Sequence, residues 1–415
     1  MRILYITGEL PYPLTTGFIR HYHFLKALGA RHEITHLSLT RRREVSDETR
    51  DVLAAFARDI RIFGVPDPSE PSSIAQVARL PGVGRKLERT LRKRWAAHRL
   101  KDEVERLLEE ENFDVVFLSG KYTHPAADAV DGTPIVIDCC DATSLRIRGE
   151  IRNATLSRKL WLALRYLEMK HIQRKLVAKT PFLAFASERD RTEMVGSEKL
   201  GVLIPQAVDL THWTRRSSEP EKDTVVFTGA MDYPPNHDAA LRLINEVLPL
   251  VRQVIPAVKA YIVGRDPLPA LEETARRLPW VTVTGQPDDM RDYFERATVA
   301  CAPLRFASGM QFKVLEALAM EVPMVTTSVA ADGLRIDGQE PPLLVGADSA
   351  ALADGVVRLL QDEDERRRVA RAGRRFVEEH FSWDRSVEKL EELLLAAAGL
   401  PRRASAAPKS AASTA

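Results

Sequence analysis

Residues 299–328 read VACAPLRFASGMQFKVLEALAMEVPMVTTS. VACA is a short run of small apolar residues without polar alternation, the pattern of a strand buried on both faces. The following LRFASGMQ is small and turn-rich, with a glycine at 309. From Gln311 the apolar residues recur at helical spacing until Pro323, after which MVTT restarts a β-rich run. A strand, a loop, a crossover helix and a second strand make a parallel pair, so the stretch predicts an α/β sheet.

The same alternation extends in both directions. Upstream lie TVVFTGA (224–230), a helix over Asp238 to Gln253, KAYIVG (259–264), a helix over Ala270 to Leu278, VTVTG (281–285) and a helix over Met290 to Arg296. The N-terminal part repeats the scheme with RILYIT (2–7), a helix from Phe18 to Leu28, EITHLSL (33–39), IRIFGV (60–65), DVVFLS (114–119), TPIVIDC (133–139) and PFLAFAS (181–187). The expected architecture is two doubly wound Rossmann-like domains facing across a cleft, over 1–187 and 223–380. An irregular linker over 188–222 separates them, and a helix over 381–397 packs back on the first. Residues 398–415, AGLPRRASAAPKSAASTA, cannot bury much surface and read as a disordered tail.

Composition narrows the chemistry. With 415 residues, 45% hydrophobic and 28% charged, the chain is an average globular protein. The longest apolar runs, such as LLLAAAGL (393–400), fall far short of the ~18 residues of a spanning helix. Glu9 and two prolines interrupt any signal-type core at the N-terminus, which predicts a cytoplasmic protein. Three cysteines without CxxC spacing, Cys139, Cys140 and Cys301, support neither a disulfide framework nor a thiolate metal site. A net charge of +2 gives no global pull on nucleic acid.

Open parallel sheets take ligands beyond the carboxyl ends of their strands. There Ser308, Gly309, Met310 and Gln311 place backbone amides at a helix start, which favours a phosphate, and Lys313 adds a point charge. Glu316, one turn on, is placed to accept hydrogen bonds from vicinal ribose hydroxyls. An ordinary amphipathic helix with a solvated lysine is the other reading of this spacing. His124 follows a strand end and reads as a satisfied loop histidine rather than a base.

At KVLEALAM (313–320) the sequence resembles family 4 glycosyltransferases of the GT-B fold, in the bacterial branch with a TGxMDYxPN motif. Further matches are FTGAMDYPPNHDAALRLINEVLPLV (227–251), AYIVGRDP (260–267), PYPLTTGFIRHYHFLKAL (11–28), IPQAVDLTHW (204–213) and HFSWDRSVEKL (380–390). The resemblance implies a nucleotide-diphospho-sugar donor held by the C-terminal domain and an acceptor held by the N-terminal one. Transfer with retention, without metal and without a resident cofactor, goes with it. By motif, Gly229, Arg265 and Gly309 to Lys313 meet the diphosphate, and Glu316 meets the ribose. Ser308 stands where most relatives carry a first glutamate, and the family's GR…KG phosphate pair is absent. Arg265 and Lys313 therefore remain to neutralise the leaving group.

In the N-terminal domain, Thr16 and Gly17 match the family's glycine loop beside the diphosphate. Asp138 and Asp141 end a strand near the point where relatives often carry a catalytic histidine. An aspartate there orients or deprotonates an acceptor hydroxyl, or supports positive charge on the sugar; Asp141 as a helix cap is the alternative.

Two basic stretches complete the reading. Arg85 to Lys101 holds eight Lys/Arg against one Glu, and Arg158 to Lys175 interleaves Trp161, Leu164 and Tyr166 with six basic residues. Either face suits anionic lipid and a lipid-linked acceptor, hence peripheral contact at the inner side of a membrane; solvated charge is the plainer reading. The expected activity is hexosyl transfer (EC 2.4) in polysaccharide or glycolipid synthesis. A nucleotide-sugar-binding protein without transferase activity and a nucleotide-sugar epimerase are the alternatives.

Overall fold

In the computed structural model, residues 1–401 are described except 15–17, 43, 66–70, 78–83, 197–199 and 217–218. Gly17 and Thr16 thus lie outside the described residues, as does most of the expected tail. Two parallel sheets organise the chain. It divides into two compact units, one holding Met1–Ile137 with the chain from Val387, the other Asp138–Ser386.

The first unit contains strands β1 (Arg2–Thr7), β2 (Glu33–Leu39), β3 (Asp59–Phe63) and β4 (Val115–Ser119) and most of β5 (Ile135–Asp138), in the spatial order β3-β2-β1-β4-β5. Leu4 of β1 pairs with Thr35 on one side and Val116 on the other. β1 and β4 are almost wholly buried, which explains their unbroken apolar sequences. The principal helices, in chain order, are α1 (Ile19–Gly29), α2 (Gly84–Glu110), α3 (Thr143–Asn153), α4 (Leu156–Lys179) and α5 (Glu188–Val195). They continue with α6 (Pro234–Arg242), α7 (Leu248–Val254), α8 (Phe312–Ala319), α9 (Glu363–His380) and α10 (Trp383–Ala397). In the first unit, Glu391 of α10 accepts from Arg31 at 2.6 Å and lies 2.9 Å from His32 Nε2.

The second unit opens on the carboxyl end of β5, followed by β6 (Leu183–Phe185) and β7 (Val202–Leu203), which pair in parallel. Its own sheet contains β8 (Thr224–Thr228), β9 (Lys259–Val263), β10 (Val281–Val283), β11 (Val299–Ala302), β12 (Met324–Thr326) and β13 (Leu344–Val345). The order is β10-β9-β8-β11-β12-β13, all parallel, so the winding reverses between β8 and β11. Val225, Phe227, Ile262, Val299, Cys301, Val314 and Leu318 sit in one buried cluster around this sheet.

Two local features depart from the sequence expectation. The helix expected over Asp238 to Gln253 begins earlier, at Pro234, because two prolines fit a first turn that needs no amide donors. Its middle is a π turn over Leu243–Val247, where the Leu248 N–H reaches back five residues to the Leu243 carbonyl. Pro249 has no N–H to give the Asn245 carbonyl, which favours this local widening.

Candidate functional site

The site is built within the second unit at the switch point between β8 and β11. Loops leaving these strands diverge there, the usual ligand position in an open α/β sheet. Gly229 follows β8 with φ +152 and Gly264 follows β9 with φ +146. A Cβ on Gly264 would lie 1.8 Å from the Gly229 carbonyl oxygen, and one on Gly229 would lie 2.5 Å from Asn236 Nδ2. The two glycines allow the strand ends to stack backbone on backbone. The Met231 N–H then donates to the Arg265 carbonyl at 2.8 Å. The Arg265 guanidinium itself is paired with Asp266 at 2.5 Å and lies 3.9 Å from Asp232.

The loop after β11 is fixed by side chains from elsewhere in the unit. Ser308 Oγ donates to Asp141 at 2.7 Å, and Thr143 Oγ1 donates to the same carboxylate oxygen at 2.9 Å. Gly309, at φ +66, donates its N–H to Asp190 Oδ1 at 3.3 Å, and the Ala142 N–H donates to that oxygen at 3.0 Å. The Arg189 guanidinium donates to the carbonyls of Ala307, Gly309 and Val329. Met310 is buried, its sulfur accepting the Gln206 N–H at 3.2 Å. The first turn of α5 thus holds both the Asp141 segment and the Ser308–Gly309 loop. Burial raises the Asp190 carboxyl above the usual aspartate range, with Arg189 opposing.

Gln311 occupies the N-cap position of α8, and its side chain, rather than capping the helix, bridges the Ser308 loop and Lys313. Its Nε2 donates to the Ser308 carbonyl at 3.1 Å, and its Oε1 accepts from Lys313 Nζ at 3.1 Å. Lys313 is 9% exposed, and burial lowers its pKa to about 8 while Glu316 opposes the shift. Enclosure raises the Glu316 carboxyl to about 7, with Lys313 pulling the other way. A buried lysine and a partly buried glutamate one turn apart have a strong demand for counter-charge and hydrogen-bonding groups.

Asp138 and Asp141 both stand at the carboxyl end of β5. Asp138 is fully buried and accepts from the Cys140 N–H at 3.3 Å and Cys140 Sγ at 3.4 Å, whereas Asp141 is only partly buried. His124 uses Nδ1 on the Lys121 carbonyl at 2.9 Å, the satisfied loop histidine expected from the sequence.

Several residues of the site were not singled out by the sequence. Asp190 and Arg189 are two. Tyr233 is another: 36% of its surface is exposed, yet its hydroxyl is enclosed near Ser308 and pushed up to about 12. Arg146 lies 5.8 Å from its ring centroid. Among the described residues, Gln206 Oε1 and Asn236 Oδ1 are buried acceptors without a protein donor. Unsatisfied acceptors beside Met310 and Gly229 suit hydroxyl-bearing ligands or water.

The two units, each α/β with a parallel sheet, have the GT-B fold. Residues 222–362, which enclose Gly229, Arg265 and α8, match the family described as glycosyl transferases group 1. Phosphatidyl-myo-inositol mannosyltransferase of Mycobacterium leprae is 30% identical over 208 residues, covering 48% of this chain and 53% of that protein. The same enzyme of Mycobacterium tuberculosis is 29% identical over 209 residues, 48% and 54% of the respective chains. The chain thus spans about half the length of the curated relatives it matches. Among solved structures, HepE of Anabaena in complex with UDP superposes with a TM-score of 0.65 at 14% identity, over 95% of this chain and 100% of that one. Sucrose-phosphate synthase from Thermosynechococcus elongatus gives 0.63 at 15% identity, over 95% and 98%. At such identities the likeness is one of fold.

Proposed function

We propose that the chain is a retaining, metal-independent glycosyltransferase that moves a sugar from a nucleotide-diphospho-sugar to a hydroxyl acceptor in glycolipid or polysaccharide synthesis. The observation that carries this reading is the group 1 glycosyl transferase match over 222–362, laid on a switch-point site that contains a buried Lys313 beside Glu316. Residues 223–380 hold the donor and 1–187 the acceptor.

In this reading the Lys313 ammonium and the α8 amino end stabilise the diphosphate as charge develops on it, helped by Arg265 if its Asp266 pairing opens. A dianion beside Lys313 keeps it protonated well above pH 8, because opposite charge favours the charged form. Glu316 accepts from ribose hydroxyls as a carboxylate. Asp141, already an acceptor for Ser308, orients the acceptor hydroxyl, and Asp138 fixes the same strand end. Gly309 already gives its amide to Asp190, so the loop's grip on phosphate relies on Met310, Gln311 and Lys313. The mannosyltransferase relatives act on phosphatidyl-myo-inositol, as their name states, which supports a lipid-borne acceptor here and a peripheral position at the inner face of a membrane.

Donor turnover with a panel of nucleotide sugars tests the proposal. Nucleotide release that requires an acceptor supports it. Binding without release would favour a non-catalytic nucleotide-sugar binder, and a changed sugar on an intact donor would favour an epimerase.

A further inference from the structure

Helix α4 carries two leucine faces. Leu162, Met169, Ile172 and Leu176 are buried, as the inner side of a surface helix should be. Leu156, Leu160, Leu164 and Leu167 stand on the other side, exposed by 86, 71, 62 and 63%, with Trp161 at 54% beside them. Steps of four, four and three residues align these four leucines in one row. Among the described residues thirteen large apolar side chains are exposed, and five of them fall within 156–167. Single exposed leucines need no explanation, whereas a contiguous row does.

Further along the same side the row changes character, for His171, Arg174 and Lys175 are exposed there. Over residues 143–179, which span α3 and α4, ten Lys/Arg stand against two Glu, although the whole chain balances 60 basic against 58 acidic residues. Both glutamates are already engaged, Glu150 by Arg146 and Arg158, and Glu168 by Arg165. One exposed helix side therefore presents leucines first and cations after them.

We propose that this side of α4 docks on an anionic lipid surface. The leucine row and Trp161 enter the boundary between acyl chains and headgroups, and Arg174 and Lys175 meet lipid phosphates. The helix lies along the surface, since its other side is committed to the fold and no described helix is long and apolar enough to cross a membrane. A second copy fits this face less well: parallel pairing opposes cation to cation, and antiparallel pairing buries cations against leucines. The inference gives a location to the lipid contact proposed above, and its test does not depend on sugar transfer.

Flotation of the full chain with vesicles of phosphatidylcholine alone, or of equal parts phosphatidylcholine and phosphatidylglycerol, reads it directly. The chain should float with the anionic vesicles at low salt. Leu164→Glu/Leu167→Glu should weaken binding by about tenfold or more, because two apolar anchors become anions facing anionic lipid. Arg174→Glu/Lys175→Glu should abolish the preference for phosphatidylglycerol. Both variants should unfold at the parent temperature, since the altered side chains are exposed. A parent chain that stays unbound with both vesicles overturns the proposal, as does a leucine variant that floats like the parent. Sedimentation showing a dimer that the leucine variant dissolves would assign the face to a second copy and overturn it equally.

Discussion

Replacing Lys313 with Met separates a side chain kept for the fold from one kept for a ligand. Lys313 is 9% exposed, and its ammonium is bonded to Gln311 at 3.1 Å and lies 5.9 Å from the centroid of the Phe227 ring. Burial brings its pKa from 10.5 to about 8. Holding that proton in the folded chain therefore costs about 3 kcal/mol relative to the unfolded chain. Because the folded value is the lower one, the cost is full below pH 8, shrinks as the pH rises from 8 towards 10.5, and vanishes above. Met removes the cost but leaves Gln311 Oε1 and Glu316 without their cation, so a net stabilisation of about 1–2 kcal/mol is expected at neutral pH. Chemical denaturation should find Lys313→Met more stable than the parent at neutral pH, with the gap closing in strong alkali. Calorimetry with uridine and guanosine diphosphates should find affinity reduced by about tenfold or more, the worth of one charge-assisted hydrogen bond. A variant that is less stable at neutral pH and binds both nucleotides like the parent would refute the reasoning.

Glu316→Gln should weaken nucleotide binding by about 1–3 kcal/mol by calorimetry, with a nearly unchanged unfolding midpoint at about pH 4 and below, where the parent carboxyl is largely protonated in the folded and unfolded chain alike. With its folded pKa raised to about 7, the parent Glu316 loses its stabilising contribution as the pH rises from 4.5 to 7, so the variant should be relatively more stable at pH 8. Gly264→Ala places a methyl group 1.8 Å from a backbone oxygen at a φ of +146, and should destabilise the second unit by about 3 kcal/mol or more in urea. A wild-type midpoint would mean the two strand ends are not stacked. Asp190→Ala orphans the amides of Ala142 and Gly309 and should cost about 1–3 kcal/mol for each that finds no water, with faster amide exchange at Gly309 as the local readout.

How much of this was legible beforehand depended on whether the signal was local. The buried strands announce themselves as short apolar runs, and the 299–328 stretch places Lys313 and Glu316 in the opening turns of α8, where they are found. β7 and β13 are two residues long, too short for any period to register. The Asp190–Gly309 bond joins positions 119 apart, so no spacing rule connects them. Tyr233 was visible inside a motif, but its enclosure near Ser308 depends on a loop 75 positions further on in the numbering. On α4 both sides carry leucine, and the sequence alone does not say which one the fold would cover.

The chain leaves its first unit at Ile137 and comes home at Val387, where Glu391 meets Arg31 and His32. Grafting a different second unit from a relative therefore takes two splice points rather than one. A hybrid joined only at the first would inherit a foreign closing helix with no acid promised for that arginine and histidine. Recombination within such proteins should consequently favour exchange of the interior segment as a cassette over simple swapping of tails.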